Sequence, residues 1–258
     1  MCSQMSWSAL VQELDAWKRV GRQPSMWLRD DDVQTPTAAL DRLFDLVTRH
    51  NIAPCLAAIP KLADPRLTEY LSIYPETRVA THGFLHRNYA PVGERKIEWG
   101  SHRPSFEVLA EIERSSETMD TLFGNIALPV LVPPWNRMNP DLYPHLYSLG
   151  VRGLSTLGAR EINEVSTGVQ QTNVHVDILN WQPEPHFRGI DSCVHILVQH
   201  LSNRRMGIVD QNEPTGLLTH HLVMDEPSWK FLDSLLTVLT VEQSTIWPHP
   251  DKIFSVET

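Results

Sequence analysis

Residues 27–33 read Trp-Leu-Arg-Asp-Asp-Asp-Val, an apolar lead-in that runs directly into three consecutive carboxylates. Three adjacent anions repel one another, so positive charge must compensate them. Taken alone, the cluster is typical of a solvated acidic turn or of a helix N-terminus, where Asp is favoured. Three other stretches favour a functional site, because each follows an apolar run that is typical of a strand. They are residues 82–86 (His-Gly-Phe-Leu-His), 133–136 (Pro-Pro-Trp-Asn) and 217–221 (Leu-Leu-Thr-His-His).

Size and charge narrow the class of protein. A chain of 258 residues without an evident linker suits one α/β domain, so we expect a single domain over residues 1–258, with an N-terminal helix within residues 1–20. The net charge of −9 and the absence of a Lys/Arg run argue against nucleic-acid and anionic-membrane partners. A neutral or cationic small molecule or oligosaccharide is the expected partner, and the oligomeric state stays open, a homo-oligomer included.

The cysteines and the apolar stretches bear on the compartment. The three cysteines are isolated and form no CxxC pair, which argues against a disulfide framework and against a structural zinc site. The N-terminus lacks the pattern of a signal peptide, and no apolar stretch is long enough to span a bilayer. We therefore expect a cytoplasmic protein.

Apolar runs alternate with amphipathic segments along the chain. Helices are predicted at 37–50, 65–74, 105–123, 140–149, 191–201 and 227–240. Strands are predicted in the apolar run that ends before Asp30 and at 52–59, 78–81, 126–132, 151–155, 174–179, 216–219 and, weakly, 253–256. Long loops are predicted at 90–104 and 158–171. This alternation predicts a parallel sheet with helices outside, either open or closed into a barrel. Ligand sites in such folds lie at the carboxyl ends of the strands, where the polar stretches fall.

His82 and His86 are four residues apart, which on one helical turn would place both rings on the same side. Two unrelated surface histidines would show the same spacing. With a carboxylate from a neighbouring strand end as third ligand, we expect them to bind one metal ion. Two His and one carboxylate leave coordination positions open, as a catalytic site requires.

In their order along the chain, these stretches resemble the motifs of the polysaccharide deacetylase family, the NodB-homology group of carbohydrate esterases, over about residues 26–240. The resemblance implies a distorted (β/α)7 barrel. The family's first motif, Thr-Phe-Asp-Asp-Gly, aligns with residues 29–33 and implies that Asp31 is the catalytic base and Asp32 a metal ligand. A one-residue slip would move these roles to Asp30 and Asp31. The second motif, His-Ser/Thr-x-x-His, implies that His82 and His86 bind the metal, most commonly zinc.

The remaining motifs are met less completely. Residues 132–136 partly match Arg-x-Pro-x-Gly, residues 177–181 resemble Asp-x-x-Asp-Trp, and residues 218–220 match Leu-x-His. The last match implies that His220 is the catalytic acid, with His221 a packed neighbour. We expect substrate contacts from Pro134, Trp135, Asn136, Asn180 and Trp181. Four other histidines lack convergent partners in the sequence: His175, His186, His195 and His200.

The resemblance implies a metal-dependent hydrolase that removes N-acetyl groups from an amino sugar or an oligo- or polysaccharide. Asp31 would take a proton from a metal-activated water, and His220 would protonate the leaving amine. Two alternatives stay open. One is a related metal-dependent amidohydrolase that acts on a small non-sugar amide, and the other is a catalytically silent, metal-bound sugar-binding protein.

Two charges of the family pattern are missing together. In the family an arginine of the third motif contacts the base, and an aspartate of the fourth motif balances that arginine; Val132 and Asn180 occupy these positions. We therefore expect positions 132 and 180 to be coupled. We also expect Asp31 to be oriented either by a hydrogen bond from Asn180 or by a relocated cation, Arg29 or Arg137.

Overall fold

A curled, mostly parallel sheet with helices on its outer face forms the frame of the protein, as seen in a computed structural model. The structure describes residues 2–255, and their side chains except at positions 2, 3 and 242. The strands are β1 Met26–Val33, β2 Cys55–Ala58, β3 Arg78–Thr81, β4 Ala127–Leu131, β5 Gly153–Leu154, β6 Glu164–Ser166, β7 Val169–Gln171, β8 Val176–Asp177, β9 Leu179–Asn180, β10 His186–Phe187 and β11 Thr215–Thr219. The α-helices are α1 Cys2–Arg19, α2 Ala38–Arg49, α3 Arg66–Leu71, α4 Ser105–Phe123, α5 Tyr143–Leu146, α6 Ile190–Met206, α7 Glu226–Thr240 and α8 Pro250–Ile253.

The strand order agrees with the predicted barrel. The main sheet runs β6-β7-β5-β4-β3-β2-β1-β11-β8, and only the β6–β7 pair in it is antiparallel. An isolated parallel bridge between Leu157 and Val174 joins the segments that follow β5 and precede β8. The eight strands of this sheet other than β6 are joined by parallel pairings and curl around one interior, which confirms an architecture of the distorted (β/α)7 type.

Alternation along β1 divides the core into two layers. Leu28 packs in the larger cluster between the sheet and the helices, whereas Trp27 packs in a smaller cluster inside the curl. Helix α2 shows how the outer layer is built: Thr37 caps its first turn by accepting a hydrogen bond from the Leu40 N–H at 3.1 Å, and its apolar face is buried. Because side chains on a strand alternate, Arg29 and Asp31 follow Trp27 into the interior.

Several predicted elements differ from the structure. Strand β1 includes Asp30, Asp31 and Asp32, which the apolar pattern predicts to follow it, and the strand predicted at 174–179 is divided between β8 and β9. The helix predicted at 140–149 consists of short 3-10 and α segments, and the loop predicted at 158–171 contains the β6–β7 hairpin. The strand predicted at 253–256 is wrong at Ile253, which ends helix α8, and residue 256 lies outside the described residues. Pro250 at the first helical position, after a His249 cap, explains the helix, since proline there costs no hydrogen bond.

No helix within residues 2–255 is long and apolar enough to cross a bilayer. The division of the chain into a single domain stays a prediction.

Candidate active site

The three adjacent carboxylates have three different sets of partners. Asp31 points into the barrel and accepts two hydrogen bonds from the Arg29 guanidinium, from Nε to Oδ1 at 2.8 Å and from Nη2 to Oδ2 at 2.9 Å. Both side chains are almost fully buried. Burial alone would raise the pKa of Asp31, but Arg29, His82 and His220 hold that pKa below its usual value. Asp31 is therefore a buried carboxylate that stays ionised.

Arg29 supplies the charge that the third motif lacks. Its guanidinium also donates to Ser155 Oγ and to Asn136 Oδ1, each at 2.7 Å, so four hydrogen bonds fix its plane. The expectation of a relocated cation is met by Arg29, which reaches Asp31 because residues two apart on a strand share a face. Neither Asn180 nor Arg137 contacts Asp31.

Asp30 faces the opposite side of β1. Its Oδ1 lies 2.5 Å from His221 Nδ1, and its Oδ2 accepts from Thr219 Oγ1 and from the His221 backbone N–H. Burial lowers the pKa of His221, but Asp30 more than offsets this and raises it. His221 is buried away from the cavity, as a packed neighbour of His220 would be.

A local break in the strand turns Asp32 toward the barrel mouth. Regular alternation would place Asp32 on the same side as Asp30, but its φ is 69°, in the left-handed region. The pairing of β1 with β2 also shifts register between Asp30 and Val33. This bulge re-aims the third carboxylate, and Asp32 Oδ1 lies 3.2 Å from His82 Nε2 and 3.4 Å from His86 Nε2. The arrangement matches the unslipped alignment of the first motif.

The two histidines converge through a loop. The expected helical turn is wrong: residues 82–86 are irregular, with positive φ at Gly83 and His86. The ring centroids of His82 and His86 are nevertheless 4.9 Å apart. A helix would bring them together by spacing alone, whereas a loop needs external support.

Glu98 supplies that support. Its carboxylate is fully buried and accepts hydrogen bonds from the backbone N–H groups of residues 84, 85 and 87, at 3.2, 2.9 and 3.3 Å. A Cβ at Gly83 would lie 2.0 Å from Glu98 Oε2 and 2.6 Å from Pro134 Cγ. Glycine therefore stands where the family has a hydroxyl residue because Glu98 and Pro134 fill that space.

The three ligand atoms fit a divalent metal ion. The Nδ1–H of His82 donates to the Val132 carbonyl at 2.8 Å, which leaves the lone pair of Nε2 facing Asp32 Oδ1. That buried oxygen accepts no hydrogen bond from the described residues. With His82 neutral, a metal ion bound between His82 Nε2 and Asp32 Oδ1, which lie 3.2 Å apart, would satisfy both atoms. Asp32, His82 and His86 would hold it, with each ligand atom within 4.8 Å of the others.

The pKa shifts agree with a site that collects positive charge. Burial raises the pKa of Asp32, but the two histidines hold it far below its usual range. Burial lowers the pKa of His82, whereas Asp31 and Asp32 raise it overall. Burial and the neighbouring His82 lower the pKa of His86, which keeps its imidazole neutral and available as a ligand.

The stretch at 133–136 closes one side of the site. Trp135 and Asn136 have φ values of 55° and 56°, an unusual conformation for two consecutive non-glycine residues. The Trp135 ring packs 4.6 Å from the His86 ring, and Asn136 holds Arg29 as described above. Pro134 is buried against the His82 loop and does not line the cavity.

His220 and Trp181 form the opposite side. Their rings meet edge to face at 4.6 Å, and Trp181 Nε1 donates to Asp177 Oδ2 at 2.8 Å. Burial raises the pKa of Asp177, with His220 acting in the other direction.

Asn180 is exposed, lies 3.5 Å from His186 and is not part of the cavity wall. Val132 is in the barrel core whereas Asn180 is exposed, which does not favour the expected coupling of the two positions, and that coupling stays a prediction.

These side chains share one cavity of about 420 Å³, within the range of small-molecule sites. Its lining is Asp31, Asp32, His82, His86, Lys96, Trp135, Asn136, Arg137, Leu157, Asp177, Trp181, Gln182 and His220. Sequence reasoning missed Glu98, Lys96 and the contact of Asp177 with Trp181. The four-residue spacing of Asp177 and Trp181 in the fourth motif was the available signal for the last of these.

No protein-family model and no curated protein sequence matches this chain. Solved structures do. A Mycobacterium smegmatis protein described as a polysaccharide deacetylase aligns with a TM-score of 0.61 at 13% identity, over 90% of this chain and 88% of that chain. A family 4 acetyl xylan esterase from Clostridium thermocellum, in complex with a cobalt ion, aligns with a TM-score of 0.51 at 12% identity, over 90% and 91%.

A third similar structure is a pseudoenzyme of carbohydrate esterase family 4 from Bacillus anthracis. Its TM-score is 0.55 at 12% identity, over 90% of this chain and 66% of that chain. At such identities the likeness concerns the path of the backbone. This chain therefore has the fold of the polysaccharide deacetylases of carbohydrate esterase family 4, and its sequence has diverged far from theirs.

Proposed function

We propose that this protein is a metal-dependent hydrolase that removes the acetyl group from an N-acetylated amino sugar. The observation that carries the proposal is the convergence, in one cavity, of an ionised buried carboxylate, a candidate metal triad and a further histidine, His220. Amide hydrolysis needs these three functions: a base for water, a Lewis acid for the carbonyl, and an acid for the leaving amine.

Asp31 is the proposed base. Its carboxylate is fixed by two hydrogen bonds from Arg29, so it does not have to reorient when it takes a proton from water. The lowered pKa keeps it unprotonated at neutral pH. Asp31 and Asp32 follow one another, so the base sits beside the proposed metal ligand.

Asp32, His82 and His86 would hold the metal. When bound there, a divalent ion would polarise the amide carbonyl and lower the pKa of water. Zinc suits two imidazoles and a carboxylate with open positions, and a similar structure contains cobalt. Val132 fixes the tautomer of His82 through its carbonyl oxygen, and Glu98 fixes the loop that carries His86.

His220 is the proposed acid. It lines the cavity across from the metal triad, and Trp181 packs on its edge. Asp177 lies close enough to interact with it electrostatically. His220 would donate a proton to the leaving amine. Trp135 and Trp181 would contact the sugar from either side of the cavity. We propose that Asn136 acts on Arg29 in addition to lining the cavity.

Acetate release from a panel of N-acetylated amino sugars, with zinc-loaded protein, tests the proposal. A parallel panel of small non-sugar amides tests the alternative amidohydrolase. Binding of a sugar without any acetate release would identify a silent sugar-binding protein instead. One of the similar structures is described as a pseudoenzyme, which is why this outcome is included.

Variants separate chemistry from metal binding. Asp31→Asn and His220→Ala should keep the metal and lose at least roughly 10²-fold in kcat, because each removes a positioned proton acceptor or donor. Asp32→Ala and His86→Ala should instead lose the metal, as measured by elemental analysis. Full metal content in His86→Ala would overturn the ligand assignment, and full activity in Asp31→Asn would overturn the assignment of the base.

A further inference from the structure

Three cations gather at the wall of the cavity beside Trp135. Lys96 and Arg137 line the cavity itself, and Arg95 is close enough to Arg137 to lower the pKa of its guanidinium together with burial. Arg137 Nη1 donates to the Lys96 carbonyl oxygen at 3.0 Å, which joins the loop that precedes α4 to the segment after β4. Lys96 Nζ lies 5.8 Å from the centre of the Trp135 ring.

No carboxylate neutralises these cations. Among the described side chains, none forms an ion pair with Arg95, Lys96 or Arg137, although the chain carries a net charge of −9. Two other arginines with little exposure are paired with carboxylates: Arg103 Nη2 lies 2.7 Å from Glu111 Oε2, and Arg160 Nη2 lies 2.7 Å from Asp210 Oδ2. Arg152 and Arg188 have no such pair, but they donate to backbone carbonyls and do not line the cavity. Like charges held together without a counter-ion repel one another, and a bound anion would remove that cost.

The carboxylates of the cavity cannot fill this role. Asp31 is engaged by Arg29, Asp32 by the two histidines, and Asp177 by Trp181 and the Leu179 N–H. The cavity thus has an acidic side, where the amide would react, and a cationic side whose charged groups form no ion pair with the described side chains. The Trp135 ring lies between them, 4.6 Å from the His86 ring and 5.8 Å from Lys96 Nζ.

We propose that the substrate carries an anionic group, a carboxylate or a phosphate, in addition to its N-acetyl group, and that Arg137 and Lys96 bind this anion. The inference rests on the proposed function, because it assumes that the acyl group binds at the metal triad. It departs from the neutral or cationic ligand that the net charge predicts. The reason is that ligands respond to the local charges of a cavity more than to the total charge of the chain. A guanidinium suits either anion, since it can donate two parallel hydrogen bonds.

The test compares three sugars: N-acetylglucosamine, N-acetylglucosamine 6-phosphate and N-acetylmuramic acid, which carries a carboxylate. We expect Arg137→Ala to raise KM for at least one anionic sugar by roughly 10- to 100-fold, the usual effect of losing a hydrogen bond to a charged group. The KM for the neutral sugar should change less than about twofold, and Arg137→Lys should restore part of the loss. The phosphate and carboxylate sugars distinguish the two anions.

Arg152→Ala is the matched control. Arg152 is also partly buried, donates only to backbone carbonyls and stacks on a tyrosine, but it does not line the cavity. It should leave all three KM values unchanged. Equal effects of Arg137→Ala on neutral and anionic sugars would overturn the proposal.

Calorimetry on the Asp31→Asn variant reports binding without turnover. Tighter binding of an anionic sugar that depends on Arg137 would support the anion site even if the wild-type protein released no acetate, a result that would count against the proposed function alone. If neither anionic sugar binds more tightly than N-acetylglucosamine, the anion site is wrong, whether or not acetate is released.

Discussion

Arg29 compensates the charge of Asp31 from a position two residues earlier on the same strand. In the motifs of the polysaccharide deacetylase family, an arginine of the third motif, on another strand, makes this contact. Both side chains are buried, so removing either one would leave the other as an uncompensated buried charge. This contact could be anticipated from alternation on β1. The left-handed conformation that turns Asp32 toward the barrel mouth could not be anticipated, because it belongs to a bulge that depends on how β1 and β2 pair.

Replacing Arg29 with Met should destabilise the protein strongly. Asp31 would be left as an uncompensated buried charge, at a cost of about 3–5 kcal/mol in the free energy of unfolding. Asp31→Asn in the same chain removes that charge, so the double variant should recover part of the loss. Urea unfolding of the chelator-treated protein at pH 7 measures both, and a loss below about 0.5 kcal/mol in Arg29→Met would contradict the assigned pairing.

The same pair gives a pH dependence with a definite sign. In the wild type the pKa of Asp31 is lowered, so its stabilising contribution is present above the unfolded pKa and is lost as the pH falls through the folded value. In Arg29→Met, burial should raise that pKa above the unfolded value. In unfolding experiments at each pH, the free energy of unfolding of the variant should fall furthest below that of the wild type at neutral pH, and the difference should shrink as the pH falls through the raised pKa of Asp31.

At the level of elements, the conformation of the loop after β3 depends on Glu98, which lies 11 to 14 positions after the loop residues that it binds. Glu98 binds three backbone N–H groups of that loop, and the loop carries His86 to the metal triad. The sequence indicated that the two histidines converge, but on a helical turn. The loop conformation could not be predicted, because a distant carboxylate stabilises it in place of local hydrogen bonds.

Glu98→Ala should weaken metal binding without removing a ligand. Three backbone donors lose their acceptor, so the loop should relax and the metal affinity should fall by roughly 10- to 100-fold, as for other residues that orient ligands. Competition with a chelator measures the change. Glu94→Ala is the control, because Glu94 is exposed on the same segment and, among the described side chains, forms an ion pair only with His102. Unchanged affinity in Glu98→Ala would show that the loop holds its shape unaided.

Across the whole molecule, two clusters of His and acidic side chains lie at opposite ends of the barrel strands. The carboxyl end was predictable, because strand ends and motif order placed the residues there. At the amino end, His175 and His200 do converge with Glu213, contrary to the sequence interpretation. No spacing in the sequence relates the three residues. His175 precedes β8, His200 lies on α6 and Glu213 precedes β11.

The cluster at the amino end resembles a metal site in composition, but its hydrogen bonds argue against one. His175 Nδ1 accepts a hydrogen bond from the Gly216 N–H at 2.9 Å, so a neutral ring must carry its proton on Nε2. That Nε2 lies 3.3 Å from Glu213 Oε2, where an N–H is more favourable than a metal bond. Burial lowers the pKa of both His175 and His200, that of His200 to about 2, so neither ring is expected to become charged.

We therefore expect one metal ion per chain, bound only at the carboxyl end. His200→Ala should leave the zinc content unchanged while lowering stability, because it opens space beside the stacked His175 ring. His82→Ala should remove the zinc with the amino-end cluster intact. Elemental analysis of both variants and of the wild type decides the point: two equivalents in the wild type, falling to one in His200→Ala, would show that the buried cluster is a second metal site and that His175 binds through a ring whose proton has been displaced.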